Sequence, residues 1–138
     1  GLKGLTALGF GLDDYRLMFD LKSEDESKKI LDCHAGASAF SAQWSALGRS
    51  VVACDPWYQA KDLEKTLHEA RVWLQQKIGQ DPQHLGLSVP AESFLKEHEA
   101  NIDTFLRDFN IGVASGRYQT DALPNLSFKD GAFDIALV

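Results

Sequence analysis

Apolar positions in this chain recur at three- and four-residue intervals in four places and gather into short unbroken runs in three others. The first periodic stretch is Gly11 to Leu21, where Leu12, Tyr15 and Met18 or Phe19 share a helical face, and Asp13 and Asp14 suit the positive end of a helix. Lys22 to Lys29 (KSEDESKK) reads as a solvated hinge. Ile30 to Cys33 is then a short buried strand. From Ala39 to Leu47 the spacing of Phe40, Trp44 and Leu47 predicts a short helix, and Gly48 stands at its C-terminal cap. Ser50 to Pro56 (SVVACDP) is a second apolar run. Strand, turn, helix and strand thus fit within about 26 residues, enough for a compact βαβ unit and hence a parallel sheet.

Beyond Trp57 the period lengthens. Leu63, Leu67, Ala70, Leu74 and Ile78 follow one face of a long helix ending at Gly79 to Pro82, and Phe94 or Leu95, His98, Ile102, Phe105 and Phe109 mark another. Leu85 to Pro90 between them is short and bounded by proline, so it reads as loop. After Ile111 to Gly116, RYQTDA has the makings of a short strand, Leu123 to Ala132 reads as turn, and Phe133 to Val138 as a further buried strand. Alternating strands and helices predict an α/β fold with a doubly wound, mostly parallel sheet. The expected organisation is one domain over residues 1–138, with an entry helix and hinge in 1–29 and a mainly helical stretch over 57–116. An apolar strand that stops at Val138 has no covering helix after it, so the sequence reads as part of a larger fold.

Composition narrows the partners. Fourteen Lys and Arg against twenty Asp and Glu, a formal net charge of -6 and no basic block argue against a nucleic-acid backbone and for a small-molecule ligand. No apolar run reaches the roughly 20 residues that cross a bilayer, and no signal-peptide pattern is seen, so no membrane partner and a cytoplasmic location are expected. Cys33 and Cys54 lie inside apolar segments, which suits buried free thiols in a reducing compartment. Trp44 and Trp73 read as core anchors, while Trp57 stands between core and ligand border. His68, His84 and His98 are isolated and read as surface or helix-face residues.

The turn after the first strand carries the chemistry. Ala35, Gly36, Ala37, Ser38 and Ala39 are five small residues in a row, which lets a ligand lie close to the backbone. A GxGxxG fingerprint or a GK[ST] P-loop would direct pyrophosphate or triphosphate here, and neither is present. Asp55, at the end of the second strand, is placed to accept hydrogen bonds from ribose hydroxyls. An adenosine-containing ligand without a phosphate requirement fits, and a nicotinamide cofactor is disfavoured. Cys33, His34, Cys54 and Asp55 lack paired-ligand spacing such as CxxC, so no metal site is expected.

ILDCHAGASAF, VVACDP and DALPNLSFKDGAFDIALV together resemble the first, second and fourth strand signatures of class I S-adenosylmethionine-dependent methyltransferases. Asp32 matches the acid of the first motif and Gly36 its central glycine, while His34 and Ser38 replace the outer glycines. LGFGLDDYRLMFDL and GRYQTDALPNL further resemble a bacterial, mostly uncharacterised subgroup with a helical insertion after the second strand. The resemblance covers nearly the whole chain but only the N-terminal part of that fold. It implies a Rossmann-like sheet, S-adenosylmethionine as cofactor and S-adenosylhomocysteine as product. It also implies that Asp32 and the backbone of Cys33, His34, Ala35 and Gly36 hold the methionine part, that Asp55 holds the ribose, and that Pro56 and Trp57 border the adenine. Asp121, or the backbone at Ala122 and Leu123, would meet the adenine amino group. His34 reads as a loop substitution rather than a catalyst, and no catalytic residue is assigned. The methyl acceptor and the oligomeric state are left open. The alternative is a binding or regulatory domain that keeps the pocket without catalysis.

Overall fold

Four consecutive residues without a polar outer face, Ile30–Cys33, form a strand only where both sheet faces are covered, and this decides the architecture. In the computed structural model, which describes residues 9–59, 63–80, 91–121, 123 and 125–138, β1 (Ile30–Cys33) is buried along its whole length at the centre of the sheet. The chain runs α1 (Leu12–Phe19), a 3-10 turn (Ser23–Ser27), β1, α2 (Phe40–Ala46), β2 (Val51–Cys54) and a second 3-10 turn (Pro56–Gln59). There follow α3 (Leu63–Gln80), α4 (Ala91–Ala114), β3 (Tyr118–Gln119) and β4 (Ile135–Leu137). The fold is α/β, with an all-parallel four-stranded sheet in the order β3-β2-β1-β4. Ile30 pairs with Val51 on one side and Ile135 on the other, and Ala53 pairs with Tyr118.

This register sorts the strands into two faces. Ile30, Asp32, Val51, Ala53, Tyr118 and Leu137 face the helices. At one end of that face Tyr15 of α1 stacks on Phe40 of α2 with ring centroids 4.3 Å apart, and Phe40 meets Trp44 at 5.2 Å. At the other, Leu63 and Leu67 of α3, Ile102 and Phe105 of α4, Tyr58 and Tyr118 form a second core. Fully burying each large apolar side chain contributes roughly 1.5–3 kcal/mol. Leu31, Cys33 and Cys54 face the opposite way, against Leu126, Phe128 and Phe133 from the segment before β4. Among the described residues the helices therefore lie on one face of the sheet, where a doubly wound sheet carries them on both.

Several expectations change in detail. Lys22 to Lys29 is exposed as expected but is a closed 3-10 turn, because the Asp25 carboxylate accepts the Lys22 N–H at 2.9 Å and pairs with Lys28 at 3.1 Å. Of the two places expected for His98, surface or helix face, it takes the second, buried on the core side of α4, where its Nδ1 accepts the Gly9 N–H at 2.7 Å. Asn101, one turn on, donates to the Gly9 carbonyl at 2.9 Å, so α4 clasps the segment entering α1. Trp44 is the core anchor foreseen, but Trp73 is 40% exposed, because the core-facing row of α3 is Leu63, Leu67 and Ala70. His68 is exposed as expected. The loop expected over 85–90, His84 and Ala122 lie outside the described residues.

Candidate functional site

Parallel strands present their carboxyl ends together at one edge of the sheet, and the residues leaving β1 and β2 meet there. The turn after β1 is unusual in conformation. His34 has φ +53° and Gly36 has φ +55°, and of these two only glycine adopts the left-handed region without steric cost. From Ile30 to Ser41 every residue is buried except His34.

The turn is tied to the end of β2 along its length. The His34 N–H is donated to the Cys54 sulfur, and the Ala35 N–H to the Cys54 carbonyl at 3.1 Å. The Gly36 N–H goes to Asp55 Oδ2 at 3.1 Å, and the Gly36 carbonyl accepts the Tyr58 hydroxyl at 2.8 Å. Asp55 Oδ1 in turn accepts the Trp57 N–H at 2.9 Å. Asp55 is thus a brace between the two turns, 1% exposed, with each carboxylate oxygen already holding a backbone amide. Burial raises its pKa, opposed by the Trp57 and Gly36 amides and by the charge of His34. Pro56 and Trp57 are partly buried beside it, and Trp57 packs against the cluster built on Tyr58 and Phe105.

Asp32 lies one strand over, 2% exposed. Its Oδ2 accepts the Tyr15 hydroxyl at 2.8 Å, which joins α1 to the site. Burial pushes the Asp32 carboxyl up to about 7; the Tyr15 hydrogen bond opposes this and the nearby Asp55 charge adds to it. Burial and the same carboxylate push the Tyr15 phenol upward. Two buried acids on adjacent strand ends make a region that favours a cationic ligand group.

Cys33 and Cys54 face each other in register as buried free thiols. Burial raises both, Cys54 to about 12, so neither supplies a thiolate near neutral pH. Among the described residues no group of three or more His, Cys, Asp or Glu is placed to hold a metal ion.

The third group of predicted residues stands apart. Asp121 follows β3, but its carboxylate accepts the N–H and hydroxyl of Ser127, both at 2.5 Å, and these bonds lower its pKa. It closes its own loop, and no hydrogen bond among the described residues joins it to the turns at 34–39 or 55–59. Leu123 is 40% exposed. The structure therefore brings together Asp32, Cys33, His34, Ala35, Gly36, Asp55, Pro56 and Trp57, and leaves Asp121 and Leu123 on the loop beyond. Tyr15 and Tyr58, which hold Asp32 and Gly36, were missed by pattern reading. A buried tyrosine needs a partner for its hydroxyl, and that was the available signal. A groove of about 370 Å³ lies between α1, α2 and α4, lined in part by Asp14, Gln43, Leu47 and Glu97, with no wall from either turn.

No protein-family model matches the chain, and no solved structure matches it. Among curated proteins it is similar to an uncharacterized protein of Methanocaldococcus jannaschii, 27% identical over 142 residues that cover 99% of this chain. The chain spans 63% of that archaeal protein's length.

Proposed function

We propose that the chain is the cofactor-binding part of an S-adenosylmethionine-dependent methyltransferase with a Rossmann-like sheet. The observation that carries this reading is the strand order β3-β2-β1-β4. Strands β2 and β3 lie on one side of β1 and β4 on the other, so the strand order reverses beside β1, the place where open α/β sheets bind ligands. The small-residue turn 35–39 lies at that point, and Asp32 and Asp55 end the two neighbouring strands. In this reading the cofactor's amino-acid end lies over the turn, with its ammonium and sulfonium drawn by the two acids. The ribose hydroxyls join the Gly36 and Trp57 amides as donors to Asp55, beside Pro56 and Trp57. Bound S-adenosylmethionine would supply an electrophilic methyl; the chain's own part is to orient it, since aligning an acceptor with the sulfur–methyl bond needs little acid–base help. The two reduced thiols go with a cytoplasmic location.

A second reading, a cofactor-binding or regulatory domain without transfer, is favoured by the internal commitment of Asp55, which braces Gly36 and Trp57. Calorimetric titration with S-adenosylmethionine, S-adenosylhomocysteine and NAD tests the shared premise: the first two are expected to bind and NAD is not. Absence of binding by both adenosylated sulfur compounds refutes the proposal. Methyl transfer from labelled cofactor to water-soluble acceptors then separates enzyme from binding domain.

A further inference from the structure

The exposed residue in the ligand turn is also its basic one. Where the chain leaves β1, β2 and β3, at 34–39, 55–59 and 120–121, the ionisable side chains are Asp55, Tyr58, Asp121 and His34. Asp32 and the two cysteine thiols lie at the strand ends themselves. Of all these groups, His34 alone can carry positive charge. It is held at φ +53°, a conformation that costs a non-glycine residue of order 1–3 kcal/mol and that glycine adopts freely. Its amide is used internally, on the Cys54 sulfur, so what the position offers a ligand is the imidazole.

Resting on the reading above, we propose that the His34 side chain is the specificity-determining contact for an anionic group of the ligand, which in an S-adenosylmethionine complex is the amino-acid carboxylate. The charge pattern of the site is zwitterionic. Asp32 and Asp55 favour a cation and repel an anion, so a ligand carrying both needs a donor on the open side of the turn. An imidazole has an N–H donor in either protonation state, and so can hold a carboxylate or a phosphate oxygen. His34 is the exposed residue of the turn, so its imidazole is the donor a ligand there can reach, where a glycine would leave only the buried acids to meet it.

The test compares S-adenosylmethionine with its decarboxylated form, which keeps the sulfonium and ammonium and lacks the carboxylate. Calorimetry on the full chain is expected to show a preference of roughly tenfold or more for the carboxylated ligand. His34→Ala and His34→Gly are expected to erase that preference by weakening the carboxylated ligand, with the decarboxylated ligand as the reference. Because glycine suits φ +53°, His34→Gly should melt no lower than the parent, which separates lost contact from lost fold. A preference that survives both substitutions overturns the proposal. Adding AMP and adenosine decides the source of the anion. AMP favoured over adenosine in the parent but not in His34→Ala would assign the contact to a phosphate and overturn the carboxylate assignment. If the parent binds none of these ligands, the methyltransferase reading falls as well, whereas binding with an unchanged ratio removes only the role of His34.

Discussion

Replacing Asp32 by asparagine should make the protein more stable in mild alkali, a result that follows from how the carboxyl is buried. The group sits 2% exposed at the end of β1, where among the described residues Tyr15 is its one hydrogen-bond donor, and its pKa rises from the ordinary 3.8 to about 7. The folded protein therefore binds a proton that the unfolded chain has released between those values. For a carboxyl raised in this way, stability is fully present below 3.8, falls as pH climbs, and reaches its floor above about 7. A rise of about three pH units at about 1.4 kcal/mol each puts the cost of ionised Asp32 at roughly 4 kcal/mol in mild alkali. An asparagine in its place would keep an oxygen for the Tyr15 hydroxyl and carry no charge.

The assay is urea unfolding, followed by tryptophan fluorescence, of parent and Asp32→Asn at matched conditions from about pH 5 to about pH 8. Other carboxyls titrate too: Asp25, Asp108 and Asp121 are held low by their partners, and Asp55 is raised. They remain in both proteins, so the difference between the two curves isolates Asp32. That difference should grow in favour of the variant by on the order of 3 kcal/mol over the range. Parallel curves, with a difference constant to within about 0.5 kcal/mol, would refute the reasoning and mean that Asp32 is ionised in the fold without cost.

Four other substitutions probe the frame of the site. Tyr58→Phe leaves the Gly36 carbonyl without its 2.8 Å partner and should cost about 1 kcal/mol of unfolding free energy while weakening cofactor affinity; unchanged affinity would remove Tyr58 from the site's support. Tyr15→Phe strips Asp32 of its donor, and an NMR titration of the carboxyl should move upward from about 7, whereas a downward move would contradict the pairing. Gly112→Ala would put a β-carbon 2.2 Å from the Tyr118 ring, so α4 or β3 must shift, and thermal melting should fall by several degrees. Asp108 accepts two 2.7 Å bonds from Arg117 and one from Tyr118, and its pKa is lowered. Its contribution is thus present above the unfolded carboxylate value and lost as pH falls through the folded one; Asp108→Asn should flatten that acid limb in the same urea series.

The strands and helices were legible because short apolar runs and three-to-four spacing report directly on burial. ILDC gave β1 to the residue, and Gly48, at φ +78°, ends α2 as its position implied. Periodicity put His98 in the row of Ile102 and Phe105, where it is buried to hold Gly9, and left Trp73 off the row of Leu67 and Ala70; what misled was reading the two by residue type, a histidine as polar and a tryptophan as core. The candidate site was legible as a pair of acids beside small residues. Its internal bonds were not, because Tyr15 and Asp32 are 17 positions apart and Gly36 and Asp55 are 19 apart, and only the βαβ packing brings them together.

The buried acids also make ligand charge measurable. If a sulfonium or ammonium settles beside Asp32, the carboxyl must ionise to meet it, so binding near pH 6 should release a proton that is not released near pH 9. Affinity for S-adenosylhomocysteine, which retains the ammonium but not the sulfonium, should then rise with pH through about 7 and level off above it. Calorimetry in buffers of differing ionisation enthalpy reads the proton count directly. Asp32→Asn should abolish both the release and the slope. A neutral adenosine ligand should show neither in the parent, since nothing in its chemistry repays the ionisation of a carboxyl that holds its proton below about pH 7. If S-adenosylhomocysteine bound with no proton release and no slope, its cationic end would lie away from Asp32, and the amino-acid end would have to be placed elsewhere along the turn.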